Sequence, residues 1–121
     1  MATKHTAYVV PWYSTAFRGD TMEQGLAEIA PVAMRYGAVF YAVHRSSEDR
    51  YKFEHISVFE HDNRAQWGEY WTGPEMTRWR AIHSGHYQVP ILPTYYQVAA
   101  VGGDPHFLGR AVQSIGDQPA A

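Results

Sequence analysis

The sequence predicts an α+β domain of the ferredoxin-like kind: a four-stranded antiparallel sheet with two helices on one face. Three observations carry this. Runs rich in β-branched and aromatic residues alternate with helix-periodic runs in the order strand, helix, strand, strand, helix, strand. The two middle strands are separated only by the polar turn "SSED" (46–49), which makes them an antiparallel hairpin. The length of 121 residues, with 45% apolar and 15% aromatic content, suits one folded core.

Each element follows from its residues. "TAYVVPWY" (6–13) is a strand, and Pro11, which cannot donate to a ladder, marks an edge, a bulge or an end. After the loop "STAFRGD", Asp20 or Thr21 is the expected helix cap, with Glu23 in the first turn. Met22, Leu26, Ile29, Ala30 and Ala33 then recur at helical spacing. Pro31 should kink that helix or split off its last turn, and Gly37 should stop it. "AVFYAVHR" (38–45) and "RYKFEHISVFE" (50–60) are the hairpin strands. In the latter, Tyr51, Phe53, His55, Ser57 and Phe59 share one face, and neither face is purely apolar, so both should be partly covered.

"DNRAQWGEYW" (62–71) begins the second helical region, capped by Asp62 or Asn63. "TGP" breaks it, and "PEMTRWRAIHSG" (74–85) resumes it with Pro74 at a first helical position. "YQVPILP" (87–93) is extended, and "TYYQVAAVG" (94–102) is the last strand. The domain is expected over 1–102, with an arm or tail over 103–121.

Composition excludes several function classes. There is no cysteine, which removes disulfides, thiolate catalysis and cysteine-ligated metal clusters. The net charge of −2 provides no general basic field, so nucleic acid is not an expected partner. No apolar run approaches the ~20 residues of a membrane span, and the N-terminus lacks the apolar stretch of a signal peptide. Together these point to a cytoplasmic protein with no membrane partner. Seven histidines are present (His5, His44, His55, His61, His83, His86 and His106), yet none falls in an H-E-x-x-H or two-histidine, one-carboxylate pattern. His83 and His86 straddle Gly85, the expected helix end, so they are not a helical ligand pair. No metal site and no cofactor are expected.

The aromatic density of 67–87 raises the functional question. Trp67, Tyr70, Trp71, Met76, Trp79 and His83 lie mostly three or four apart and would form one stripe on a continuous helix. Such a stripe can be the helix's core face, or part of it can line a flat cleft for an aromatic ligand. Four tryptophans exceed the needs of a core this size, and each buried indole N–H requires a partner. Arg78 and Arg80 flank Trp79 and read as a solvated face beside Glu69 and Glu75. Alternation sends Tyr95 and Tyr96 to opposite sheet faces, and the outer one suits a face covered by a second protomer.

"FEHDNRAQWGEYWTGPEMTRWRA" carries a resemblance. Its Phe59-Glu60, Trp67, Gly73-Pro74 and Trp79 are laid out like the stress-responsive and antibiotic-biosynthesis-monooxygenase-like group of dimeric α+β barrels, over roughly residues 6 to 101. The resemblance implies two sheets packed face to face in a homodimer or higher homo-oligomer, with a cleft between each sheet and its helices. It implies cofactor-independent oxygenase or cyclase-like chemistry on an aromatic or polycyclic small molecule. Trp67, Trp71 and Trp79 would hold the substrate, His55 or His83 would move a proton, and Tyr41 near His55 would polarise a phenol. Haem degradation in that group uses an Asn on the first strand, and 6–13 contains none. The alternative is a non-catalytic oligomeric assembly subunit, such as a virion component, using the same fold. Pro90, Pro93, Gly102, Gly103 and the following arm favour it, as does the lack of an evident acid/base pair.

Overall fold

The structure is a computed structural model and describes residues 4–60 and 64–108. The strands are β1 (His5–Tyr13), β2 (Ala38–Arg45), β3 (Lys52–Glu60) and β4 (Thr94–Gln97). The helices are α1 (Gly19–Ile29), α2 (Arg64–Trp71) and α3 (Pro74–Ile82). The sheet order is β2-β3-β1-β4, with every neighbouring pair antiparallel. This is the ferredoxin-like arrangement. The expected caps Asp62 and Asn63, His61, and residues 109–121 of the arm lie outside the described residues.

Side-chain alternation divides the sheet. Register places Tyr8, Val10 and Trp12 of β1 beside Ser57, His55 and Phe53 of β3, and all six are buried. Across them pack Met22, Leu26 and Ile29 of α1, Trp67 and Tyr70 of α2, and Met76 and Trp79 of α3. Burial of these large side chains is the main drive for assembly, roughly 1.5–3 kcal/mol each relative to exposure. On the other face Val9, Phe40, Ala42, Ile56 and Val58 are only half-buried, and Tyr96 is 58% exposed. Tyr95 pairs with Tyr8 and Tyr96 with Ala7, so the two tyrosines do face opposite sides.

Proline and glycine act where the sequence places them. β4 pairs with β1 only over Thr6 to Val9, so Pro11 sits where that side of β1 has no ladder to interrupt. Pro31 coincides with a change of helix type, and Ala30–Tyr36 continue α1 as a 3-10 helix. Gly37 ends it in the left-handed region, φ 103°. Three boundaries differ from expectation. α1 begins at Gly19, before Asp20, with no side-chain cap; Asp20 instead accepts from Arg45 at 2.9 Å. Arg45 also binds Glu23 at 2.7 Å and so ties the start of α1 to the hairpin. α3 ends at Ile82, because Gly85 (φ 91°) turns the chain. β4 stops at Gln97, and one more bond, from the Val98 amide to the His5 carbonyl at 2.9 Å, closes its pairing with β1. Among the described residues, no helix is long and apolar enough to cross a membrane.

Gly73 sets the junction between α2 and α3. A Cβ there would lie 2.4 Å from the Glu69 carbonyl oxygen and 3.0 Å from the Tyr36 hydroxyl. Gly73→Ala should therefore force the two helices apart at a cost of about 1–3 kcal/mol. A lowered denaturant midpoint is the expected readout; an unchanged midpoint would show that the junction has slack.

Candidate active site

The space between sheet and helices is filled by one aromatic layer with two distinct ends. At the first end, register aligns Tyr95, Tyr8, Ser57 and Tyr41 in a row across all four strands. Trp67 stacks on Tyr8, with centroids 4.8 Å apart and planes at 11°, and Trp71 stacks on Trp67 at 5.3 Å and 12°. Tyr95 meets Tyr8 edge-on at 5.2 Å. Tyr41 is half-buried, and burial raises its hydroxyl pKa, so it remains a neutral donor.

Among the described residues, the Ser57 hydroxyl, on a residue 1% exposed, and the Trp67 indole N–H, on a residue 7% exposed, are buried at this end without a hydrogen-bond partner. Ser14 carries a third such hydroxyl elsewhere in the core. A desolvated, unpaired group of this kind costs about 1–3 kcal/mol. Both groups at this end can donate, and the Trp67 ring stacks on Tyr8 and Trp71.

Arg80 borders the same layer. Its guanidinium lies 4.3 Å from the centroid of the Trp71 ring and donates to the Trp71 carbonyl. Burial lowers its pKa, and among the described residues no carboxylate forms an ion pair with it. The solvated face expected for Arg80 is thus not what the fold makes; its side chain turns back along α3 onto Trp71. The sequence signal was weak, a cation nine residues after a tryptophan across a Gly-Pro break.

His55 lies in the centre of the core, fully buried. Its Nδ1 accepts from the Trp12 indole N–H at 3.0 Å. Its Nε2 is 3.0 Å from the Tyr70 hydroxyl, which donates to the Ile29 carbonyl at 3.1 Å. Because an indole only donates, Nδ1 must be bare, and Nε2–H then donates to Tyr70. Burial lowers the His55 pKa to about 4. Both nitrogens are occupied, and the ring is fully buried. The ring lies in the same layer as Tyr41, whose neighbour two residues on, Val43, pairs with it.

His83 lies at the second end, with Trp79. Their centroids are 4.5 Å apart, and the Trp79 indole donates to the Gly25 carbonyl at 2.8 Å. Trp12 links the two ends, packing against Trp71 at 6.0 Å, Trp79 at 5.2 Å and Tyr87 at 5.1 Å. The structure therefore brings Trp67, Trp71 and Tyr41 to one end and Trp79 and His83 to the other, with His55 sealed between them.

His55 makes acid stability a test of this geometry. As pH falls, the unfolded chain takes up the imidazole proton near 6.5, whereas the folded chain takes it up only near 4. Between those values the unfolded state binds more protons, so the folded state loses stability on acidification, by roughly 3 kcal/mol for the full shift. Denaturant unfolding from neutrality to about pH 4 should show that loss, with the His55 ring titrating only at its lower end. A His55 ring that titrates near its ordinary value would contradict the arrangement.

The sequence matches no protein-family model and no curated protein. Solved structures do match. Two carry the name "Putative antibiotic biosynthesis monooxygenase". The one from Nitrosomonas europaea superposes with a TM-score of 0.71 at 10% identity, covering 85% of this chain and 98% of its own. The one from Bordetella bronchiseptica gives 0.66 at 18%, covering 79% and 98%. A protein of unknown function, NE2512 from Nitrosomonas europaea, gives 0.67 at 16%, covering 84% and 95%. Across nearly the whole length of those structures, this chain has the fold of the antibiotic-biosynthesis-monooxygenase-like proteins.

Proposed function

We propose that the protein is a cofactor-independent oxygenase- or cyclase-like enzyme whose substrate is a planar hydroxyaromatic or polycyclic small molecule. The observation that carries this reading is the pair of unpartnered buried donors, Ser57 and Trp67, within the stacked aromatic end of the layer. Each costs free energy while it is unpaired, and a ligand acceptor would remove that cost. A flat ligand with acceptor oxygens would supply the missing partners at the edge of the Tyr8–Trp67–Trp71 stack.

Arg80 completes the chemistry. A polycyclic phenol gives up electrons to dioxygen most readily as its phenolate, and a guanidinium without a carboxylate partner stabilises that anion. Tyr41, held neutral and in register with Ser57, is a further donor on the β2 side. Trp67, Trp71 and Tyr41 are thus the ligand wall. His55 is assigned to positioning, since it holds Trp12 and Tyr70. Trp79 and His83 are placed outside the substrate end. The names of the Nitrosomonas and Bordetella structures agree with oxygenase chemistry, at identities that speak for the fold alone.

The half-buried sheet face of Val9, Phe40, Ala42, Ile56 and Val58, with exposed Tyr96, suits a second copy of the chain. Self-association through it serves the enzyme reading and equally the assembly-subunit reading. The test therefore has to separate ligand chemistry from packing.

Ser57→Ala does so. It should raise unfolding stability by about 1 kcal/mol, because it removes an unpaired buried hydroxyl, while weakening binding of a polycyclic hydroxyaromatic ketone. Trp67→Phe, which keeps the stack and removes the N–H, should weaken binding about tenfold. Oxygen uptake with a panel of such phenols, together with native mass spectrometry, provides the readouts. Dimers that bind and oxidise a panel member support the enzyme. Assemblies that neither bind nor consume oxygen, in the parent and both variants alike, would establish the building-block alternative.

A further inference from the structure

The second end of the aromatic layer carries chemistry that the oxygenase reading does not use. α3 ends at Ile82, and residues 83–86 form a turn closed by the His86 amide donating to the His83 carbonyl at 2.8 Å. Gly85, at φ 91°, supplies the left-handed position that turn requires. The turn is strapped to the segment after β1: the Thr15 amide donates to the His86 carbonyl and the Thr15 hydroxyl to the Gly85 carbonyl, each at 2.9 Å. The His83 ring is seated on α1 at Gly25, where an added Cβ would come within 2.7 Å of it. Both imidazoles are therefore held by backbone that cannot easily move.

The result is two Nδ1 atoms 3.3 Å apart, with ring centroids at 5.4 Å and planes at 68°. Two nitrogens each about 2.0–2.1 Å from one tetrahedral ion stand about 3.3–3.4 Å apart. We propose that His83 and His86 form a two-imidazole site for a borderline divalent ion, Zn(II) or Cu(II), ligated through both Nδ1 atoms and completed by water. The i, i+3 spacing acts here through the turn at Gly85, beyond the end of α3.

Three further observations agree. Burial, and then the neighbouring His86, lower the His83 pKa, which keeps its ring neutral as a ligand must be; the Glu28 carboxylate acts in the opposite sense and adds negative charge near a bound cation. Ligation through both Nδ1 atoms leaves the proton of each ring on Nε2. Among the described residues no third His, Asp or Glu joins the pair, so the ion keeps open positions. The site is separate from Ser57 and Trp67 and stands or falls independently of the oxygenase reading.

Calorimetric titration of the metal-free full chain with Zn(II) near neutral pH tests the proposal. One ion per chain is expected. His83→Gln and His86→Gln should each weaken binding at least about tenfold, and His44→Gln, on the exposed opposite sheet face, should leave it unchanged. Substoichiometric Cu(II) on the unmodified protein gives a second reading that needs no variant. It should broaden the Trp79 indole N–H resonance, whose ring adjoins His83, before that of Trp67. Equal Zn(II) affinity in the His86→Gln protein, or Cu(II) broadening that spares Trp79, would overturn the assignment.

Discussion

Everything in the layer between sheet and helices is arranged around one buried histidine. The chain of hydrogen bonds runs from Trp12 through His55 and Tyr70 to the Ile29 carbonyl, and so joins β1, β3, α2 and α1 with three directed bonds. Direction matters because an indole can only donate. That one constraint sets the histidine tautomer, which sets the role of the Tyr70 hydroxyl, which in turn satisfies the carbonyl at the last residue of α1. A fully satisfied buried network rigidifies its surroundings, whereas a partly satisfied one is costly. The network fixes Trp12, and Trp12 in turn packs against Trp71, Trp79 and Tyr87.

The contrast with the unsatisfied atoms gives the structure its functional reading. Three bonds at the centre leave no polar atom of His55 or of Tyr70 unpaired. A short distance along the same layer, Ser57 and Trp67 are buried with nothing to bind. The central network is thus satisfied, and the proposed ligand would supply the partners that Ser57 and Trp67 lack. The wall of aromatics and the core face of a helix are then not alternatives. Trp79 donates to the Gly25 carbonyl and serves as core, while the N–H of Trp67, on the preceding helix, has no partner among the described residues and is free for the proposed ligand.

Much of this was legible in the sequence, for definable reasons. The strand and helix order, the hairpin, the Pro31 transition and the opposite facing of Tyr95 and Tyr96 all follow from period-2 and period-3.6 spacing and from local backbone chemistry. The spacing of three within Trp67–Tyr70 and within Met76–Trp79 also identified the buried helix faces. Spacing could not divide those aromatics between two ends of the layer, because that depends on where β1 and β3 cross beneath them. It could not reveal that His55 has Trp12 and Tyr70 as partners 43 and 15 residues away. Nor could it distinguish a solvated Arg80 from one folded onto Trp71. The His83–His86 pair was misleading for a related reason: judged as a helical pair it fails, and only the turn at Gly85 brings the rings together.

The most direct test of the account is a long-range nitrogen–proton correlation spectrum of the His55 ring at neutral pH. The account predicts a neutral ring protonated on Nε2, with a bare Nδ1 coupled across the hydrogen bond to the Trp12 indole proton. A ring protonated on Nδ1, or an imidazolium, would contradict it. Trp12 would then lose its acceptor, and the arrangement of the whole aromatic layer would need another explanation.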